Sequence, residues 1–269
     1  MKLLLEIAFD GRNFCGYQVQ DNGRTVQKVL GDASRKLLGF PCDISGCSRT
    51  DSGVHARSFF CTVTQKGQQV FPGTIPVSKI PLALCTYLDA DIAVKGAWLV
   101  PEDFHPRYSA TGKTYRYFMR FSPLRNPFSE SYAWHVPYGT RQDAFDRMSK
   151  SLAYLQGTHD FSSFMAAGSK ITDPVRTITD ARIWTEDGIT VFEVSADGFL
   201  YHMVRIIAGT LVRIASGQAE PEDMETILAA RDRTAAGPTA PAHGLFLWSV
   251  SYPDRVMLQI RGEESSCRI

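Results

Sequence analysis

The run Gly46-Cys47-Ser48-Arg49-Thr50-Asp51-Ser52-Gly53-Val54-His55-Ala56 carries the side chains best spaced for chemistry. It follows a strand-like stretch, Cys42-Asp43-Ile44-Ser45. In extended backbone, side chains two apart share a face, so Arg49 and Asp51 point one way and Thr50 the other. Asp51-Ser52-Gly53 is turn chemistry: Asp and Ser bond the local backbone, and Gly tolerates positive φ. The expected product is a carboxylate at a strand end with a guanidinium beside it, a fork geometry that favours the ionised form. The plain alternative is a surface turn with a weak ion pair.

The elements that must position this run are legible from pattern. Leu3 to Phe9 is an apolar strand ending at the turn signal Asp10-Gly11, and Phe14 to Gln20 is a loop rich in aromatic and amide groups. Thr25 stands as an N-cap before Val26, Val29, Leu30, Ala33 and Leu37, which recur at helical spacing up to Gly39. A strand near Ser58 to Thr64, a helix over Ile75 to Leu88 interrupted by Pro76 and Pro81, and a strand from Ile92 to Val100 complete a β-α-β-β-α-β order. After Pro123 the plan repeats, with a strand at Tyr132 to Val136, a helix at Asp143 to Leu155, and strands at Thr177 to Trp184 and Thr190 to Val194. A long apolar helix from Phe199 to Gly217, a shorter one from Pro221 to Arg231 and a strand from Leu245 to Ser251 follow. The expected fold is α+β: two ferredoxin-like (split βαβ) domains with mixed, largely antiparallel sheets, 1–104 and 105–252, meeting at a central active-site cleft. Residues 253–269 read as a C-terminal tail, loose from Arg261 onward.

Two further features bear on chemistry. From His105 to Ser129 there is no Asp or Glu, while Arg107, Lys113, Arg116, Arg120 and Arg125 interleave with Tyr108, Tyr115, Tyr117 and Phe118. Cations meet phosphates and rings stack on bases, so the stretch suits an RNA strand; a strand with a solvated basic face fits the composition equally. Within Lys113 to Phe121, Tyr115 and Tyr117 share one face and Arg116 takes the other. Arg205 stands in the middle of the long apolar helix, where its stem snorkels to water or its head meets a carboxylate.

Bulk properties exclude several classes. With 269 residues, 44% hydrophobic and 21% charged, the chain has material for one large or two modest cores. The net charge of +1 confines any nucleic-acid signal to local patches. The opening Met1-Lys2-Leu3-Leu4-Leu5-Glu6 is too short an apolar run for a signal peptide, and no stretch reaches membrane-span length. Six scattered Cys form no Cys-x-x-Cys pair, and the six His approach neither each other nor a Cys at ligand spacing, so no metal site and reduced cytosolic thiols are expected. His55 and His202 read as structural hydrogen-bonding groups.

Arg49-Thr50-Asp51-Ser52-Gly53-Val54-His55 resembles the signature of the bacterial tRNA pseudouridine synthase I family. Phe9-Asp10-Gly11, Gly16-Tyr17-Gln18-x-Gln20, Lys113-x-Tyr115-x-Tyr117, Asp160 to Phe164, Met203-Val204-Arg205 and Gly237 to Leu245 match further family motifs in order. Tyr17 stands where the family usually has Trp, Ser48 where Gly is usual, and Ser52 where Ala is usual. The resemblance implies isomerisation of uridine to pseudouridine in the anticodon stem-loop of tRNA, at nucleotides 38, 39 and/or 40. It implies no cofactor or metal, and a cytoplasmic homodimer gripping one tRNA. It puts the nucleophile on Asp51, with Arg49 and Arg205 holding that carboxylate, Arg205 aimed at it from the second domain, and Tyr115 packing on the target uracil. Arg107, Lys113, Arg116 and His202 join Tyr115 as substrate-binding residues. Two rivals stand beside this reading. Asp-Ser-Gly is also the aspartic protease triplet, but that follows an apolar strand and needs a second Asp sharing a proton, which an adjacent Arg defeats. The other is a non-catalytic RNA-binding module on the same fold.

Overall fold

The strand Lys2–Phe9 (β1) is buried along nearly its whole length, and strands pair on both of its edges. Its partners are His55–Gln65 (β3) and Ile92–Val100 (β4), both antiparallel, with Leu5 opposite Cys61 on one side and Ala97 on the other. The computed structural model describes residues 1–21, 23–73, 75–137, 143–168 and 171–264. They fall into two units, Met1–Thr111 with Leu247–Ile269, and Gly112–Phe246.

In the first unit the helix Val26–Leu38 (α1) precedes Cys42–Gly46 (β2), and β2 pairs antiparallel with β3. The order β4-β1-β3-β2, with every neighbouring pair antiparallel, is the split βαβ arrangement expected from the sequence. Leu3, Leu5, Ile7, Phe59, Cys61 and Val63 are all fully buried in the sheet, and Val26, Leu30 and Ser34 are fully buried on α1. Gly39 ends α1 at φ 79°, a left-handed cap that glycine adopts without strain. The helix expected over Ile75 to Leu88 is shorter. It runs only over Ile80–Cys85 (α2), after a 3-10 turn at Val77–Lys79, and Pro81 sits in its first turn where a missing N–H costs nothing.

The second unit is built on Gly112–Phe121 (β5), which pairs antiparallel with Ile189–Ala196 (β9) and parallel with the short Trp134–Val136 (β6). Outward from β9 come Val175–Glu186 (β8) and Gly157–Asp160 (β7), the latter a strand not expected from the sequence. The helix expected at Asp143 to Leu155 is Ala144–Leu152 (α3), tightening to a 3-10 turn over Ala153–Leu155. Met203–Ala215 (α4) is apolar and buried on most sides, as expected, but starts four residues late: His202 takes φ 62°, which breaks the helical path ahead of it. Asp223–Ala230 (α5) and Leu245–Ser251 (β10) follow as expected.

The C-terminal segment departs from the sequence reading. Asp254–Glu264 is a helix (α6), and Val256 and Ile260, one turn apart, are buried. That apolar pair precedes Arg261, where looseness was expected to begin, and the helix runs on past it to Glu264. The last part of the expected tail, 265–269, lies outside the described residues.

Gly31, in the middle of α1, would bring an added Cβ only into ordinary contact with Ile44 Cγ1, at 3.7 Å. Gly31→Ala should therefore raise stability by about 0.5–1 kcal/mol through helix propensity. Urea unfolding reads the change; a lower midpoint would show that the α1–β2 contact has no room for a methyl.

Candidate active site

Asp51 sits on a loop between β2 and β3 that is held from beneath by a second loop, residues 10–17. The clasp combines main-chain bonds with bonds from the Ser52 and His55 side chains. Tyr17 N donates to Thr50 O at 3.2 Å, and Gly53 N donates to Phe14 O at 3.4 Å. Ser52 Oγ donates to the same Phe14 carbonyl at 3.2 Å, and Gly11 N donates to His55 Nδ1 at 3.1 Å. Val54 N closes the turn onto Asp51 O at 3.2 Å, with Gly53 at φ 80°. Buried His55 is thus a structural acceptor, as the sequence suggested.

Glycines make the two loops meet. A Cβ on Gly11 would lie 2.0 Å from Val54 O, and one on Gly16, at φ +84°, would lie 2.6 Å from Thr50 O. Gly46 gives up its side chain to the Tyr17 ring, which would stand 2.5 Å from a Cβ there. Tyr17 itself is buried, 4.3 Å from Phe59 by ring centroids, and its hydroxyl has no partner among the described residues. Burial pushes that phenol well above its ordinary value.

The first turn of α1 holds the supporting loop in turn. The first N–H groups of a helix lack intrahelical partners. Here Val26 N donates to Gly16 O at 3.3 Å and Gln27 N to Tyr17 O at 2.9 Å. Thr25 occupies the N-cap position, but its hydroxyl makes no capping bond, so the loop carbonyls do that work instead. Gln27 then bridges outward: its Oε1 accepts from Val19 N at 2.9 Å and its Nε2 donates to Ile44 O at 2.6 Å.

The expected faces hold, since Thr50 is buried while Arg49 is exposed. The expected fork between Arg49 and Asp51 does not. Arg49 makes no ion pair among the described residues and instead lines a cavity of about 200 Å³ with Gln18, Gly46, Ser48, Arg107 and Tyr108. The backbone turn holds the Asp51 loop. Exposed Arg107 lies 5.7 Å from the Tyr108 ring, and Tyr108 packs 4.5 Å from His105. Burial, then the Lys2 and Arg107 charges, hold His105 below its ordinary value, which suits its Nδ1 accepting the Arg107 N–H at 3.1 Å.

In the second unit, Tyr115 and Tyr117 share the buried face of β5, and the Tyr115 ring meets Phe199 edge-on at 4.9 Å. Arg116, on the other face, is taken up by an acid: its Nε donates to the buried Glu193 at 2.5 Å, and Arg182 binds the same carboxylate. Arg120 donates to Leu124 O at 2.6 Å, and Arg125 lies 3.9 Å from Glu130. The acid-free stretch is therefore acid-free only in sequence. Lys113, the second residue of β5, is half-buried. Arg205 is half-buried on α4, its Nε donating to Ala240 O at 2.7 Å, and His202 stacks on Tyr201 at 3.8 Å just ahead of that helix. Among the described residues no group of three or more His, Cys, Asp or Glu could hold a metal ion. Gly11 and Gly16 stand in the sequence motifs Phe9-Asp10-Gly11 and Gly16-Tyr17-Gln18-x-Gln20, but the close approach of the two loops and the bridging by Gln27 are not expected from the sequence.

Residues 152–253 match the family described as tRNA pseudouridine synthase. A tRNA pseudouridine synthase A of Halalkalibacterium halodurans is 45% identical over 245 residues, covering 90% of this chain and 89% of the relative. Relatives of the same name from Bacillus pumilus and Ruminiclostridium cellulolyticum are 44% and 41% identical, covering 94% and 93% of this chain and 99% of each relative.

The clasp makes a stability prediction. Gly11→Ala must push Val54 aside, and overpacking of that kind costs about 1–3 kcal/mol. Urea unfolding should register that loss; an unchanged midpoint would mean the two loops separate at no cost.

Proposed function

The chain belongs to the tRNA pseudouridine synthase A family, and from that we propose that it modifies uridines 38, 39 and/or 40 of tRNA with Asp51 as nucleophile. It is an enzyme that isomerises uridine to pseudouridine in tRNA. The finer reading is supported by one observation above the others: Asp51 lies in the Arg-Thr-Asp-x-Gly-Val-His run, on a turn braced from beneath by the Gly11–Tyr17 loop. A reactive group on a braced loop is held close to its working geometry, and small misplacements of such groups cost large factors in rate.

The chemistry balances within the substrate. The N1–C1′ bond breaks, the uracil turns, C5 bonds to C1′, and the C5 proton leaves as N1 regains one. A base stacked in the anticodon arm cannot turn in place, so it is flipped into the site. Asp51 supplies the covalent or anionic partner for ribose or base. Arg205 is the guanidinium that aims this carboxylate, Tyr115 packs on the uracil, and Arg49 guides the nucleotide from its cavity beside Arg107. Lys113 and His202 are proposed as further substrate contacts. Arg116 is the weakest of the set, since binding phosphate would mean leaving Glu193. No cofactor enters this scheme. The scheme assigns the work to a cytoplasmic homodimer gripping one tRNA; among the described residues no helix is long and apolar enough to cross a membrane.

Asp51→Asn should abolish tritium release from [5-³H]uridine-labelled tRNA, a loss of about 10⁴-fold or more, while tRNA affinity survives on its many phosphate contacts. Substantial residual release would remove Asp51 from the nucleophile role. Arg205→Lys should also lower turnover sharply, because a point charge cannot reproduce a planar fork, with a much smaller change in tRNA Kd. A lysine variant with normal turnover would take Arg205 out of the reaction.

A further inference from the structure

Residues 236–241 form an irregular segment laid across α4, and the fit is close. A Cβ on Gly209 would stand 1.8 Å from Pro238 O, and one on Gly237 would stand 2.5 Å from Thr210 N. Gly237 N donates to Thr210 Oγ1 at 2.9 Å, and Arg233 ties the segment from its other side by donating to Gly237 O at 2.9 Å and Thr239 Oγ1 at 3.2 Å. At its centre Ala240 exchanges two bonds with one residue. Ala240 N donates to Arg205 O at 3.1 Å, and Arg205 Nε donates to Ala240 O at 2.7 Å. At its end, Tyr117 Oη donates to Pro241 O at 2.7 Å. Tyr117 is fully buried, and burial pushes its phenol far above its ordinary value, so the hydroxyl remains a donor.

The bond at Nε matters because Nε–H lies in the guanidinium plane. Fixing it fixes the direction in which the two terminal nitrogens of Arg205 point. We infer that Tyr117 and the segment 236–241 act as a strap that orients the Arg205 guanidinium, which makes Tyr117 a positioning residue of the reaction. This rests on the role proposed above for Arg205. The second Tyr of Lys113-x-Tyr115-x-Tyr117 thereby acquires a purpose distinct from the first: it reaches the neighbouring carbonyl rather than the substrate.

A double-mutant cycle on single-turnover tritium release tests the strap. Tyr117→Phe keeps the ring and removes only the hydroxyl bond. It should lower the rate about tenfold, the loss of one well-placed hydrogen bond, while tRNA Kd stays within twofold. In the Arg205→Lys background the same change should alter the rate less than twofold, because the group the strap aims is gone. An unchanged rate in Tyr117→Phe, or full multiplication of the two effects in the double variant, would overturn the strap. Arg205→Lys at the wild-type rate would overturn the underlying role of Arg205 instead. Should Tyr117→Phe fold poorly, Arg233→Lys repeats the cycle from the other end, since a lysine cannot serve Gly237 O and Thr239 Oγ1 together in a planar fork.

Discussion

The candidate site depends on the exchange of bonds between the loop 10–17 and the loop that carries Asp51. Each bond in it is worth only about 1 kcal/mol net, but a donor or acceptor buried without its partner costs about 1–3 kcal/mol. Tyr17 uses both of its main-chain groups in this way, its N–H on Thr50 and its carbonyl on Gln27 N. The Asp51 loop is thus coupled to the first turn of α1 through one residue. Gly11 and Gly16 allow the approach, because any side chain at either would collide with backbone.

The second unit treats Arg205 similarly. A segment without regular structure lies on a helix through Gly209 and Gly237, and its carbonyls receive side chains that must point one way. In both places main-chain carbonyls and amides serve as positioning groups. Where ion pairs do occur, as at Arg116 and Arg182 on Glu193, they remove cations from the pool available to RNA. The largely buried Arg116 side chain thus ties β5 to β9 through Glu193.

The strands and the long helices were readable because their patterns repeat over many residues: β1, β3 and β4 are apolar runs bounded by turns, and α1 shows a clear period ending at Gly39. β7 was missed because Gly157-Thr158-His159-Asp160 is a polar edge strand with no apolar alternation to betray it. The α4 start was misread because His202 is an ordinary helical residue in sequence and takes positive φ only in context. At the site, Asp51 and Arg205 stood out through residue type and motif. The Arg49–Asp51 fork did not form because spacing gives a shared face, not a contact. The main-chain bonds of the clasp were invisible, since such bonds leave no trace in side-chain identity beyond the glycines they require.

If the loop clasp is what makes Asp51 effective, the position of the carboxylate matters as much as its charge. The direct measurement is the single-turnover rate of tritium release by Asp51→Glu, which keeps the charge and moves it by one methylene. The account predicts a loss of about 10²-fold or more with tRNA affinity intact. A rate within a few-fold of the wild type would contradict it, because placement by the clasp would then count for little.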